Sequence, residues 1–189
     1  RRPRRLFSLD SFEGMPAPTA EDRHQGQAAE ATGWGTGTCS APESSLRRIC
    51  TELGVWDIVT PVKGYFQDTL PRMRDQIGMI ALLHLDGDWY ESTRTILNNL
   101  YDRILNDGFL QVDDYGYWEG CRKAIQEFME LRGVNFNLQK IDTTGVWFRK
   151  PDRFPAPPFF VSALVDGFGG WCPVPHGIES PMSAQHRFQ

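Results

Sequence analysis

An α/β layered domain on a mainly parallel sheet is the fold class this sequence predicts, and three observations predict it. Apolar runs of strand length alternate with amphipathic stretches of helical period. Two of those runs stop in paired carboxylates: Leu82-Leu83-His84-Leu85-Asp86-Gly87-Asp88-Trp89-Tyr90 and Gly108-Phe109-Leu110-Gln111-Val112-Asp113-Asp114-Tyr115-Gly116. A buried parallel strand has this continuous apolar character, and ligands of open α/β sheets bind beyond its carboxyl end. Finally, 189 residues with 40% hydrophobic and 23% charged content suffice for one domain with a real core.

The elements follow in order. Leu6–Asp10 is short and apolar and runs into Ser11-Phe12-Glu13-Gly14, a strand entering a loop. Residues 15–41 are rich in Gly, Pro, Ala and Thr without periodicity and read as a long loop. Ser40-Ala41-Pro42-Glu43 has the form of a capping box with proline in the first turn. Leu46, Ile49, Cys50 and Leu53 follow at helical spacing up to a stop at Gly54. A second strand is expected over 58–62, a short helix around 71–75, and a third strand over 79–86.

Ile96, Leu97, Leu100, Tyr101, Ile104 and Leu105 form one apolar helical stripe, ended by Asn106-Asp107-Gly108. The fourth strand covers 109–112. Cys121, Ala124, Ile125, Phe128 and Met129 face inward on another helix that Gly133 ends. Val134, Phe136 and Leu138 alternate as a strand, and residues 145–149 make a final one. After Pro151 no period holds, and Pro and Gly crowd the chain. The expected division is a domain over 1–151 and a Pro/Gly-rich tail over 152–189 that wraps the domain or is partly disordered.

Composition narrows the function classes. A net charge of -4 gives no overall bias towards nucleic acid. Cys39, Cys50, Cys121 and Cys172 form no C-x-x-C pair, which suits reduced thiols in a cytoplasmic protein better than a disulfide framework or zinc site. No run of about 18 apolar residues predicts a membrane span, and no signal peptide is recognisable. Arg1-Arg2-Pro3-Arg4-Arg5 leads almost directly into a strand. It reads as a basic arm or, in preference, as the point where a longer chain has been cut.

Two parallel strands side by side would bring Asp86, Asp88, Asp113 and Asp114 together. Four converging carboxylates repel unless protons or a cation compensate them, so a hard divalent metal is the natural inference. Either pair alone reads equally well as a solvated loop. Asp10 stands where nucleotide-binding α/β domains place an acid on ribose hydroxyls, and equally where a turn cap belongs. His84 reads as a core histidine before it reads as a site residue. Trp89, Tyr90, Tyr115, Tyr117 and Trp118 flank the acidic loops, where one or two are expected to touch a ligand. Gly33-Trp34-Gly35-Thr36-Gly37 follows no strand and opens no helix. It is expected to be a mobile loop, with closure over substrate as its possible use.

Six segments in series carry a resemblance. They are Asp10-Ser11-Phe12-Glu13-Gly14-Met15-Pro16, Gly64-Tyr65-Phe66-Gln67-Asp68-Thr69-Leu70-Pro71, the stretch from Leu83 through Asp86-Gly87-Asp88 to Thr93, Val112-Asp113-Asp114-Tyr115-Gly116, Gly120-Cys121-Arg122-Lys123-Ala124, and Thr144-Gly145-Val146-Trp147-Phe148-Arg149-Lys150. In this order the chain resembles the macrocin O-methyltransferase (TylF-like) family from about Leu6 to Lys150. The resemblance implies a Rossmann-like, S-adenosylmethionine-dependent methyltransferase sheet. It further implies Mg²⁺-dependent methylation of a hydroxyl on a sugar or glycosylated natural product, such as a macrolide or aminocoumarin. Asp86, Asp113 and Asp114 are then the metal ligands and Asp88 the general base. Asp10, helped by Ser11, holds the cofactor ribose, and Gln67 and Asp68, with Thr69, lie by the adenine. The implied partner is a small hydroxylated or glycosylated acceptor, with homo-oligomers common among relatives.

One departure is expected. A Gly-rich turn after a first strand should precede the ribose acid by ~20 residues, and position 10 leaves no room for it. The sheet is therefore expected to lack its first strand, that turn and the following helix. The same residues leave three alternatives: a truncated, non-catalytic methyltransferase-like binding or assembly protein, a Mg²⁺-dependent phosphohydrolase of the haloacid dehalogenase type, and a D-x-D sugar-nucleotide transferase. The phosphohydrolase needs more chain between Asp86 and Asp113, and the transferase leaves Asp113-Asp114 unexplained.

Overall fold

The computed structural model describes residues 4–151, so the expected tail over 152–189 lies outside the described residues. Strand β1, Leu6–Asp10, pairs in parallel with β4, Val59–Lys63, while β2, Arg23–His24, and β3, Gln27–Ala28, form a small antiparallel hairpin. A four-stranded sheet runs in the order β5, Ile80–Leu85, β6, Ile104–Val112, β8, Val146–Arg149, and β7, Gln139–Lys140. β5 and β6 are parallel, whereas β8 is antiparallel to both β6 and β7. The helices are α1, Glu43–Glu52, α2, Phe66–Ile77, α3, Tyr90–Leu100, and α4, Glu119–Arg132.

Alternation along the strands decides where the core lies. Leu110 and Val112 of β6 and Val146 and Phe148 of β8 are buried together with Ile96, Leu97 and Leu100 of α3 and Cys121, Ile125 and Phe128 of α4. On the opposite face Leu82, Phe109 and Trp147 are exposed, with Phe109 and Trp147 stacked at a tilt 5.7 Å apart. The β1–β4 pair shares no strand pairing with the larger sheet among the described residues. β1 and β5 therefore each keep one edge without a strand partner among the described residues.

Several boundaries differ from expectation for physical reasons. Helix α1 begins at Glu43 with Pro42 as its N-cap and no side-chain cap bond, so Ser40 lies too early to close a capping box. Helix α2 is 12 residues long, not a short turn, and holds Pro71 inside it. Burial of Thr69 and Leu70 secures the helix around the missing N–H. The stripe expected to continue to Leu105 stops at Leu100. Tyr101–Arg103 is a single 3₁₀ turn, and Ile104 already opens β6. That strand is irregular opposite Ile80 and Leu82, which absorbs the turn-like Asn106-Asp107-Gly108. The alternating Val134, Phe136 and Leu138 form no strand; Phe136 instead stacks on Phe148 at 3.8 Å.

Candidate active site

The carboxyl ends of β1, β4, β5 and β6 open on one cavity of about 380 Å³. β1 contributes Asp10 and Ser11, the turn after β4 contributes Gly64, Tyr65, Phe66 and Gln67, and β5 and β6 contribute Asp86, Asp88, Asp113 and Asp114. This is the position a parallel sheet gives to its ligands. A second wall comes from the long segment after β1, through Met15, Pro16, Trp34 and Cys39.

The acidic turn after β5 is held in a demanding shape. Asp88 has φ 53°, a left-handed conformation that costs a non-glycine residue about 1 kcal/mol. Three hydrogen bonds hold it. Trp118 Nε1 donates to Asp88 Oδ1 at 3.2 Å, Trp89 Nε1 donates to the Pro16 carbonyl at 2.9 Å, and the Tyr90 amide donates to Asp22 Oδ1 at 2.7 Å. Trp89 and Trp118 are buried edge-to-face, 4.7 Å apart, as a floor beneath the turn. The Asp113 amide donates to the Leu85 carbonyl at 3.0 Å, tying the second acidic pair to the first.

The carboxylates strain one another electrostatically. Loss of hydration, then the charge of Asp86, pushes Asp88 up to about 6 in spite of its bond from Trp118. Loss of hydration, then Asp88 and Asp86, pushes Asp114 up to about 8. Asp86 is raised by the same loss and by Asp113, with His84 opposing. Carboxylate oxygens of Asp86, Asp88 and Asp114 lie within 4.8 Å of one another. Asp114 Oδ2 is buried with no hydrogen-bond partner among the described residues. An all-oxygen donor set with one orphaned buried oxygen is what a hard divalent cation fits. The trio contains Asp88 where the resemblance implied Asp113, although Asp113 lines the same cavity.

On the other side, Asp10 Oδ1 accepts the Phe12 amide at 2.5 Å and Oδ2 remains for a ligand. Ser11 is committed to its own turn, donating to the Gly14 carbonyl and accepting from the Glu13 amide. Gln67 lines the cavity; Asp68, in the first turn of α2, does not. His84 is a correction: its side chain is 48% exposed, because the outer face of β5 is open, and its Nε2 stands 4.0 Å from Asp86 Oδ2.

A sequence model described as Macrocin-O-methyltransferase (TylF) matches residues 1–150. This chain belongs to that family. Within the TylF family, it is 36% identical over 147 residues to an 8-demethyl-8-(2,3-dimethoxy-alpha-L-rhamnosyl)-tetracenomycin-C 4'-O-methyltransferase of Streptomyces olivaceus, covering 77% of this chain and 55% of the relative. It is 33% identical to demethyldecarbamoylnovobiocin O-methyltransferase of Streptomyces niveus, covering 79% and 56%. The chain thus spans a little over half the length of these relatives. The solved O-methyltransferase NovP superposes with a TM-score of 0.67 at 32% identity, over 79% of this chain and 61% of that one. Calicheamicin methyltransferase CalS11, at 20% identity and a TM-score of 0.59 over 77% and 60%, shares the fold. These matches are to methyltransferases, which removes the support for the phosphohydrolase and sugar-nucleotide transferase alternatives.

Asp22 and Cys39 of this TylF chain escaped the sequence reading as site residues, and Trp34 entered it only as part of the loop over 33–37. Asp22 is fully buried, accepting from the Thr19 amide and hydroxyl as well as from Tyr90. Trp34 and Cys39 line the cavity. The legible signal was Thr19-x-x-Asp22, a pattern of local side-chain capping inside a stretch otherwise without period.

Proposed function

We propose that this site is an S-adenosylmethionine- and Mg²⁺-dependent O-methyltransferase centre acting on a hydroxyl of a sugar or glycosylated natural product. The observation that carries the proposal is one cavity with a ribose-type acid, Asp10, on one side and four convergent aspartates on the other. The names of the relatives, methyltransferases of a rhamnosyl-tetracenomycin and of demethyldecarbamoylnovobiocin, supply the substrate class.

When bound, S-adenosylmethionine supplies an electrophilic methyl group, and Mg²⁺ supplies the charge that holds and acidifies an acceptor hydroxyl. The chain's residues do the rest. Asp86, Asp113 and Asp114 present oxygen donors to the cation. Asp88, fixed by Trp118, accepts the proton of the reacting hydroxyl. Asp10 accepts hydrogen bonds from the ribose hydroxyls, with Ser11 shaping its turn and Gln67 flanking the base. The pocket walls orient acceptor against donor, which supplies much of the acceleration. Free thiols at Cys39, Cys50 and Cys121 suit a reducing compartment, the cytoplasm.

The test is calorimetric titration of S-adenosylhomocysteine into the folded chain, with and without Mg²⁺. It is followed by transfer of labelled methyl from S-adenosylmethionine to an aryl α-L-rhamnoside. Micromolar binding with Mg²⁺-dependent transfer supports the proposal. A folded chain that binds Mg²⁺ and S-adenosylhomocysteine yet labels no glycoside sinks the substrate class. Absence of both ligands sinks the catalytic reading and favours a binding role.

A further inference from the structure

The long loop expected over 15–41 is fastened to the domain at several points. Its base is closed by reciprocal bonds, the Met15 amide to the Thr38 carbonyl at 2.8 Å and the Gly37 amide to the Met15 carbonyl at 2.9 Å. Gly14 is needed there, since a Cβ would stand 2.5 Å from the Thr38 carbonyl oxygen. Further out, Glu21 pairs with Lys123 of α4 at 2.7 Å, and His24 stacks on Tyr117 at 4.0 Å while its Nδ1 meets the Tyr117 carbonyl at 3.0 Å. The Gly26 amide donates to Glu119 at 2.8 Å. Compact loops tied down in this way present side chains as a scaffold does.

What it presents is Trp34. The ring meets Trp118 nearly at right angles, 6.4 Å away, but is 36% exposed where Trp89 and Trp118 are 1% and 2% exposed. It lines the cavity beside Met15 and Pro16, and its indole N–H donates to no described residue. The cavity is thus lined by an aromatic ring with apolar neighbours and by the aspartates. A pyranose ring carries a counterpart to each: an apolar C–H face and a rim of hydroxyls.

We infer that Trp34 is the acceptor-side specificity residue: its indole stacks on the C–H face of a pyranoside whose hydroxyls reach the aspartates. The inference rests on the methyltransferase reading above but concerns binding, which is measured separately from turnover. A rigid aromatic platform contributes contact area at little entropic cost, and its free N–H adds orientation.

Phenyl α-L-rhamnopyranoside is titrated by calorimetry into the Mg²⁺-loaded wild-type chain and into Trp34→Ala and Trp34→Phe, with circular dichroism confirming fold. Mn²⁺ affinity is read in parallel from water-proton relaxation. The expected result is about tenfold weaker glycoside binding for Trp34→Ala, near-wild-type binding for Trp34→Phe, and unchanged Mn²⁺ affinity in both. Wild-type-like binding by Trp34→Ala overturns the inference while leaving the methyltransferase reading intact. Equal loss of Mn²⁺ overturns it by showing a structural role. A wild-type chain that takes up Mn²⁺ but not the glycoside overturns the inference together with the pyranoside substrate class, and leaves methyl-donor binding to its own titration.

Discussion

The buried carboxylate of Asp22 accepts the backbone N–H of Tyr90 at 2.7 Å and so caps helix α3 from 68 residues away in sequence. The same oxygen lies against Gly120, in the first turn of α4, so closely that no side chain fits there. One residue just before the β2–β3 hairpin thereby joins the starts of the two helices behind the acidic turn. Asp22→Ala strands three donors, the Tyr90 amide and the amide and hydroxyl of Thr19. Urea unfolding should show a loss of about 3 kcal/mol, since buried charge-assisted bonds and caps each contribute 1–3 kcal/mol. A loss below about 1 kcal/mol would mean that water replaces the carboxylate.

The raised aspartates predict an unusual dependence of stability on pH. Asp88 at about 6 and Asp114 at about 8 hold protons that the unfolded chain has already released near pH 4. The folded state then binds more protons than the unfolded state, so this contribution declines as pH rises from about 4 through 8. A divalent cation favours the ionised forms and removes the decline. Melting temperature without metal should fall between pH 5 and 8, and millimolar Mg²⁺ should raise it more at pH 8 than at pH 5. Asp114→Asn should raise the metal-free value at pH 8 by about 3 °C and blunt the response to Mg²⁺. A Mg²⁺ effect independent of pH would place the ion elsewhere.

How far the sequence spoke depends on the range of each signal. The two acidic strand ends were legible because a continuous apolar run closed by carboxylates is a local pattern and occurs twice in this chain, although either pair alone also reads as a solvated loop. The end of α3 was not: Ile104 and Leu105 keep the helical period by coincidence, and only pairing with Ile80 shows that Ile104 belongs to a strand. Phe136 alternates like a strand residue, yet its position is decided by stacking on Phe148. Asp22 and Trp34 were hidden for the same reason. Their partners, Tyr90 and Trp118, lie far along the chain, and residues 15–41 carry no period to announce them.

Single substitutions in the acidic cluster separate its members. The resemblance makes Asp113 a ligand and Asp88 the base, while mutual distance puts Asp88 with Asp86 and Asp114. Mn²⁺ binding measured by proton relaxation should collapse in Asp86→Asn and weaken in Asp113→Asn, but hold in Asp88→Asn. Methyl transfer in Asp88→Asn should fall by about 10²–10⁴, the usual range for loss of a general base. Should Asp88→Asn lose Mn²⁺ while Asp113→Asn keeps it, the two residues exchange roles, and Asp113, on the same cavity wall, becomes the candidate base.

Cys39 reports on the same charges from across the cavity. Its thiol is pushed up by burial first and then by Asp88, Asp86 and Asp114, so at pH 8 it reacts slowly for an exposed cysteine. In a chain carrying Cys50→Ser and Cys172→Ser, with Cys121 buried, disulfide exchange with a small aromatic disulfide reads Cys39 alone. Mg²⁺ on the aspartates removes the repulsion that opposes the thiolate, so the rate at pH 8 should rise. Phenyl α-L-rhamnopyranoside added afterwards should slow the reaction by covering the wall that Cys39 shares with Trp34. A rate indifferent to Mg²⁺ would show that the ion does not neutralise the carboxylates facing Cys39.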